Sequence, residues 1–521
     1  MESTISINYS DYFIILLFFV FVGTIGYSVS SRNPNPEQLY FAGRSLNWPI
    51  IGFSILASNI STLTMLGLTA DAYLYGVSSS SYEWVASLVL IVLAVFIAPI
   101  YLKNKINTVP EYFNKRYGRI VQKYFSIVSL IISSTVHIAG PLFAGAVLIN
   151  LFIPEVSVWQ ASVAVAIFSS AYTAFGGMSA VVYTDFFQAI LFLMISIIIC
   201  FALFAQHDFS FISVIKSTPT DHFKMVNPID NGYLPWLGLV TGLPILGFYY
   251  WCTDQVIVQR IISARNLKQA QYGIFFGAFL KLSILFVIIL PGIMAIHVFP
   301  EVSKSQDLYA IIIKELIPNG VIGLILAGLL AAMISSIDSS INSSATLIVY
   351  DFIKPKFPKL SNRRLVFIGR ITVCLIMFIS LAWTPIIDHS NGIWAYAQTV
   401  LTYLTPPLVC ILFFGIFSSR GNQKVALFTL IGGHLSSLIL FILQFYEIIS
   451  IHFTILAGFI FLISIILYQV GLLTQTSDTN HDKQLNFKFA IYRPSKFIIK
   501  LAIAVIISTL LSILPFLIKQ F

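Results

Sequence analysis

Apolar runs follow one another along the whole chain, separated by short polar stretches rich in Gly, Pro, Ser and charged residues. Read against those loop signals, the runs predict helical spans over 11–29, 47–71, 75–102, 120–152, 156–175, 180–206, 235–262, 270–299, 318–350, 365–386, 391–417, 424–443, 451–473 and 497–518. That makes about fourteen, each near or above the roughly 20 apolar residues a helix needs to cross a bilayer. The two long connections 207–234 and 300–317 mix charges with Pro and read as short amphipathic caps, and 474–496 is the most polar stretch.

Composition gives the same answer. Of 521 residues, 58% are apolar and 10% charged, whereas soluble domains run at about 45–50% and about 25%. The chain therefore reads as an all-α integral membrane protein in a lipid bilayer. The formal charge of +9 would suggest nucleic acid if it were clustered on a soluble face. Here 24 of the 30 basic residues fall in alternate loops: Arg32 and Arg44, Lys103 to Lys123, Arg260 to Lys268, Lys354 to Arg370, Arg420 and Lys424, and Lys483 to Lys500. By the positive-inside rule those loops are cytoplasmic, which puts both termini outside a cell membrane and leaves no nucleic-acid partner. The first run follows Glu2 and Asp11 with no preceding Lys or Arg, so it is expected to stay as a span rather than act as a secretion signal. Cys200, Cys252, Cys374 and Cys410 all lie within apolar runs without a CxxC pair and read as packing residues.

A charge at mid-membrane costs about 2.5–3.5 kcal/mol even on lenient scales, so Glu83, Asp185, Lys281 and Asp338 each invite a functional reading beside a structural ion pair. From Ser54 to Thr64 the second span turns polar, through Asn59, Ser61 and Thr62. Such residues compete with the helix for backbone hydrogen bonds, which marks either an unwound break or a polar packing face. Five spans on, Pro235, Gly238, Gly242, Pro244 and Gly247 mark a second interrupted helix. Two interrupted helices, each leading a block of five, point to an inverted-repeat transporter with its site at the midplane. The tract from Ala331 to Ser344 is the most polar in any span. Ala332, Ser335, Ser336 and Ser339 share one face of it, as close helix packing also requires. Packing does not need Asp338, however, and hydroxyl, carbonyl and carboxylate oxygens together suit a hard cation such as Na+.

The strings Ser81-Tyr-Glu-Trp84, Thr108-Val-Pro-Glu-Tyr112, Gly176-Gly-Met-Ser-Ala-Val-Val-Tyr-Thr-Asp185, Tyr249-Tyr-Trp-Cys-Thr-Asp-Gln-Val-Ile-Val-Gln-Arg260 and Ala278-Phe-Leu-Lys281, with the Ser-rich tract, make the chain similar to the sodium/solute symporter family over nearly its whole length. Within it the chain resembles the sodium/glucose cotransporter branch most. The resemblance implies one membrane domain over 1–521 with a LeuT-like 5+5 inverted repeat. Residues 11–29 form an extra helix, 47–417 the ten-helix core, and 424–521 three more helices.

It also implies roles. A main sodium site takes the carbonyls of Ala57, Ile60 and Ala332 with the hydroxyls of Ser335 and Ser336. A sugar-like substrate is held by Asn59, Thr64, Glu83, His137, Lys281 and Gln398, with Tyr250 closing over it and Ser61, Tyr82 and Trp251 beside it. Two-sodium members imply a second ion at Asp185, Asp338 and Ser339, with Ser335 shared; a proton between the two carboxylates is the other way to relieve their repulsion. Thr64 and His137 depart from the best-known sugar transporters, which leaves a carboxylated sugar such as sialic acid, or another small organic solute, as the alternative substrate. Glu83 would repel a carboxylate and His137 grips one less firmly than Arg, so a monosaccharide or polyol is expected, moved with sodium by alternating access. An enzyme is not expected: the chain has no HExxH, GxSxG or Walker A motif. An uncoupled channel or solute sensor would keep the same fold and is separated only by showing sodium-dependent accumulation.

Overall fold

The computed structural model describes residues 8–29, 35–230, 232–318, 320–388, 392–474 and 493–520. Most of the polar stretch 474–496 thus lies outside the described residues. Everything described is helix and connection. Among the described residues, ten helical stretches are long and apolar enough to cross a membrane, or eleven when one bent pair counts as a single span.

We number the principal helices α1 (Tyr9–Val29), α2 (Trp48–Asn59), α3 (Thr62–Tyr75), α4 (Ser81–Val92), α5 (Arg119–Phe152), α6 (Val158–Ala205), α7 (Gly242–Cys252), α8 (Gln255–Ile262), α9 (Leu267–Val298), α10 (Ile322–Leu347), α11 (Asn362–Ile387), α12 (Ile393–Leu404), α13 (Pro406–Phe417), α14 (Gln423–Phe445), α15 (Phe453–Leu473) and α16 (Lys496–Leu517). α10 is the axis of the molecule. Every one of its residues except Leu324 is buried, as expected of a helix enclosed on all sides. It packs against α6, α1, α11, α2 and α5. Outer helices such as α1, α14 and α16 turn Phe, Leu and Ile outward, the surface a lipid bilayer covers.

The two expected interruptions are present; the first falls within the Ser54–Thr64 stretch that signalled it, and the second is displaced from its Gly/Pro cluster. The second span is two helices joined by an extended pair, Ile60 (φ −88°, ψ 105°) and Ser61 (φ −111°, ψ 171°), with the Ser61 hydroxyl accepting from the Thr64 amide at 3.3 Å. In the other, the helix runs on past the Gly/Pro cluster and breaks at Thr253 and Asp254, where the Asp254 carboxylate caps α8 through the Val256 amide at 2.8 Å. Pro244 sits in the first turn of α7, where a missing N–H costs little. Gly238 and Gly242 serve close packing instead: a Cβ on Gly242 would meet the Thr454 carbonyl oxygen at 1.7 Å.

The expected spans 156–175 and 180–206 are the two halves of α6, which turns sharply between them at Gly177 (φ 59°, ψ −160°), a conformation open to glycine alone. Two further features were not anticipated. α12 and α13 meet at a 51° bend at Thr405. Asp11, read only as flank, is fully buried and accepts from the Gly323 amide at 2.7 Å, so α1 supplies the N-terminal cap of α10. The connections 207–234 and 300–317 carry short helices at 211–217, 220–223 and 308–316, as expected of caps.

Candidate functional site

Because α2 stops at Asn59, the carbonyls of Ala57 and Ser58 lose the amide partners that a continued helix would supply. The polar face of α10 takes their place. Ser335 Oγ donates to the Ala57 carbonyl at 2.9 Å and Ser336 Oγ to the Ser58 carbonyl at 3.4 Å, and both also reach the Ala332 carbonyl, at 3.0 and 3.2 Å. Ala57, Ala332, Ser335 and Ser336 are thus brought together without a formal charge. Ile60 supplies the break itself, and among the described residues its carbonyl is hydrogen-bonded to neither serine.

Beside this junction lies a cavity of about 120 Å³, bounded by both broken helices, α4, α5, α9 and α12. All ten residues expected to touch substrate line it: Asn59, Ser61, Thr64, Tyr82, Glu83, His137, Tyr250, Trp251, Lys281 and Gln398. Lys281 is fully buried, forms an ion pair with Glu83 and donates to the Asn59 side-chain oxygen. Its ammonium lies 5.5 Å from the Trp251 ring. His137 stands on a widened turn of α5 at Ser133–Ile138, with Nδ1 3.3 Å from the Asp254 carboxylate, while its Nε2 completes no hydrogen bond. Such local widening re-aims side chains and is frequent at functional sites. Aromatic pairs close the cavity on two sides. Tyr250 packs edge-on to Trp251 and donates to the Ser58 carbonyl at 3.4 Å, and Tyr82 packs edge-on to Trp394.

The residues expected around a second ion do not form one group. Asp185 Oδ2 accepts from Ser54 Oγ at 2.6 Å and pairs with Arg260 Nη2 at 3.0 Å. Arg260 also donates to Ser339 Oγ and, through Nε, to Ser54 Oγ at 2.7 Å. Asp338, one position before Ser339, instead faces the hydroxyls of Ser169 and Thr173 on α6. Ser335 belongs to the first junction.

Arg260 is the principal correction to the sequence reading, which counted it among the cytoplasmic loop charges. It is 1% exposed and joins α8 to α2, α6 and α10. Asp254, Trp394, Ser58 and Ser340 were also missed: the last three line the cavity, and Asp254 sits at the second helix break. Arg260 and Asp254 lie eight and two residues past Cys252, still inside the seventh predicted span, and the rule that flagged Glu83 applied to both.

A cavity that carries polar side chains between two broken helices of an all-helical, multi-pass membrane protein is the arrangement of a secondary transporter. The sodium:solute symporter family profile matches residues 39–433, and the chain belongs to that family. Among curated relatives, the sodium/glucose cotransporter 1 of Ovis aries is 31% identical over 471 residues, covering 82% of this chain and 71% of that protein. The sodium/myo-inositol cotransporter 2 of Homo sapiens is 29% identical over 473 residues, covering 84% and 70%. A substrate-bound, outward-open sodium-coupled sialic acid symporter has the same fold, with a TM-score of 0.80 at 18% identity over 90% of this chain and 98% of that one. Mhp1, a nucleobase-cation-symport-1 family transporter, aligns with a TM-score of 0.54 at 12% identity, covering 84% and 94%. The chain is a sodium-coupled solute symporter and not an enzyme.

Proposed function

We infer that the solute is a neutral polyhydroxylated molecule, a monosaccharide or a polyol, carried into the cell with sodium by alternating access. The observation that carries this reading is the charge balance of the cavity. The lysine and the histidine that line it both already face carboxylates, Lys281 with Glu83 and His137 with Asp254. No cation is left over for an acidic substrate, whereas Asn59, Thr64, Glu83, Gln398 and the free His137 Nε2 supply donors and acceptors for hydroxyls. The names of the glucose and myo-inositol relatives agree with a solute of this kind.

Sodium is the co-transported ion, and we assign it to the carbonyls of Ala57, Ile60 and Ala332 with the hydroxyls of Ser335 and Ser336. On its arrival the two hydroxyls would turn their lone pairs to the ion and release the carbonyls they now cap. Because the same residues join the α2–α3 break to α10, an ion there orders Ser58 to Ser61 at the cavity wall. Sodium then raises solute affinity, and solute raises sodium affinity by the same factor. Asp185 and Ser339 already share the Arg260 guanidinium, and we assign them to holding α8 in place. The reading places fourteen spans in a 5+5 inverted repeat in the cell membrane, with both termini outside.

The test is a thermal-shift and uptake screen of glucose, myo-inositol and sialic acid, with and without sodium. Sodium-dependent stabilisation and accumulation by a neutral sugar or polyol are expected. Uptake of sialic acid alone, without competition from neutral solutes, would move the assignment to a carboxylated sugar.

A further inference from the structure

The connection from α10 to α11 carries five basic residues between positions 354 and 364, Lys354, Lys356, Lys359, Arg363 and Arg364, and no acidic one. All five are exposed, and among the described residues none of them forms an ion pair. The nearby carboxylates are committed elsewhere. Asp351 is buried and accepts from Thr108, Gln122 and Ser126, and no Asp or Glu follows before Asp388. Glu37 and Glu111, which bear on the neighbouring Tyr350, pair with Arg44 and Lys115. Like charges in a free loop repel and spread apart, but these are held at both ends. The helix of α10 continues to Lys356, after which the Phe357 amide still donates to the Ile353 carbonyl at 2.9 Å. Ser361 caps α11, its hydroxyl accepting from the Arg364 amide at 3.4 Å and its carbonyl from the Leu365 amide at 3.1 Å.

The depth of this patch follows from α11. Phe367, Ile371, Leu375 and Phe378 are exposed and share one helix face, the surface that lipid tails cover. Arg363, four residues before Phe367, continues that stripe about 6 Å beyond its apolar end. The headgroup layer on either side of the hydrocarbon is about 5–7 Å deep, so Arg363 stands at the level of the phosphates. Phe357, between Pro355 and Pro358, is 47% exposed, with the Lys356 ammonium 5.4 Å from its ring. An apolar ring flanked by cations suits the boundary of tails and headgroups. Orientation charge needs only a count of Lys and Arg in a loop; it does not need uncompensated cations fixed at one depth beside an exposed ring. We propose that residues 354–364 form a docking surface for the anionic headgroups of phospholipids in the adjoining leaflet. A phospholipid fits better than a soluble polyanion because the stripe that continues the patch is one acyl chains cover. The inference does not depend on the solute or on where sodium binds.

Thermal melting of the purified full-length chain in mixed micelles, titrated with phosphatidylglycerol or with phosphatidylcholine, tests it. A melting temperature raised by phosphatidylglycerol and not by phosphatidylcholine is expected. The rise should shrink between about 0.1 M and 1 M salt, as the Debye length falls from about 10 Å to about 3 Å. Each Lys or Arg near an anionic surface strengthens the attraction about fivefold. Lys356→Gln with Lys359→Gln and Arg363→Gln should therefore raise the half-saturating phosphatidylglycerol concentration about a hundredfold, with wild-type melting in phosphatidylcholine. Arg363→Gln alone should raise it about fivefold and guards against a folding defect in the triple variant. Arg119→Gln with Lys123→Gln and Lys424→Gln removes three exposed cations from other loops and should keep the wild-type response. Absence of a phosphatidylglycerol effect in the wild type, or an equal loss in this charge-matched control, would overturn the patch. Glycerol 3-phosphate stabilising the chain as well as the lipid does would overturn it too, by pointing to a free phosphate.

Discussion

Ser335 donates its hydroxyl to the carbonyl of Ala57, 2.9 Å away, across the junction between the most buried helix and the end of a broken one. The two residues are 278 positions apart, and the bond exists because α2 stops short of the amide that would otherwise claim that carbonyl. Removing both hydroxyls, in Ser335→Ala with Ser336→Ala, leaves the junction uncharged and the chain folded. Each lost ion contact is worth about 1.5–3 kcal/mol, so apparent sodium affinity should fall at least tenfold. Sodium titration of solute uptake reads this directly, and wild-type sodium dependence in the double variant would remove the main-site assignment.

Glu83 and Lys281 should be far more sensitive singly than together. Truncating one partner of a buried pair leaves an uncompensated charge and costs about 3–5 kcal/mol, so Glu83→Ala and Lys281→Ala should both lower thermal stability in detergent. Glu83→Gln with Lys281→Met should recover stability but not saturable sugar uptake. If the neutral double variant transports normally, the pair is structural and the substrate assignment fails.

Gln398 has no charged partner, so its loss should affect the solute alone. A site built to hydrogen-bond hydroxyls discriminates strongly when one such group goes unpaired. Gln398→Ala should abolish saturable uptake of the neutral solute while sodium binding persists. Unchanged uptake kinetics would place Gln398 outside the site.

Gly177→Ala should destabilise the fold without touching the cavity. The position has φ 59° and ψ −160°, and an added Cβ would lie 2.5 Å from the Leu39 carbonyl oxygen. Strain of this kind costs about 1–3 kcal/mol before the collision is counted. A melting temperature equal to wild type would contradict the turn geometry.

Asp11→Ala removes the cap that α1 gives α10, worth about 0.5–2 kcal/mol. A lower melting temperature with unchanged sodium affinity is expected, and Asp11→Asn should restore most of the loss because an amide oxygen also accepts from the Gly323 amide.

Much of this protein is legible in the order of its residues because the signals are local. An apolar run's length marks a span, and a polar residue inside it is conspicuous whatever it touches, which is how Glu83, Lys281, Asp185 and Asp338 stood out. The ten cavity residues and the four residues of the Ser335/Ser336 junction were named through the family resemblance. What the order of residues could not decide is rotation and partnership. Adjacent positions on a helix point about 100° apart, so Asp338 and Ser339, one residue apart, face different neighbours: Ser169 and Thr173 for one, Arg260 for the other. Arg260, read as a loop charge, became an interior cation only because α8 turns it toward Asp185, 75 positions earlier in the chain. The place of the second helix break was settled the same way. Gly242 accommodates the approach of Thr454, and the chain unwinds at Thr253 and Asp254, where His137 from another helix meets the buried Asp254 carboxylate. Such pairings depend on how whole helices are turned and packed against one another, and that is a property of the assembled bundle.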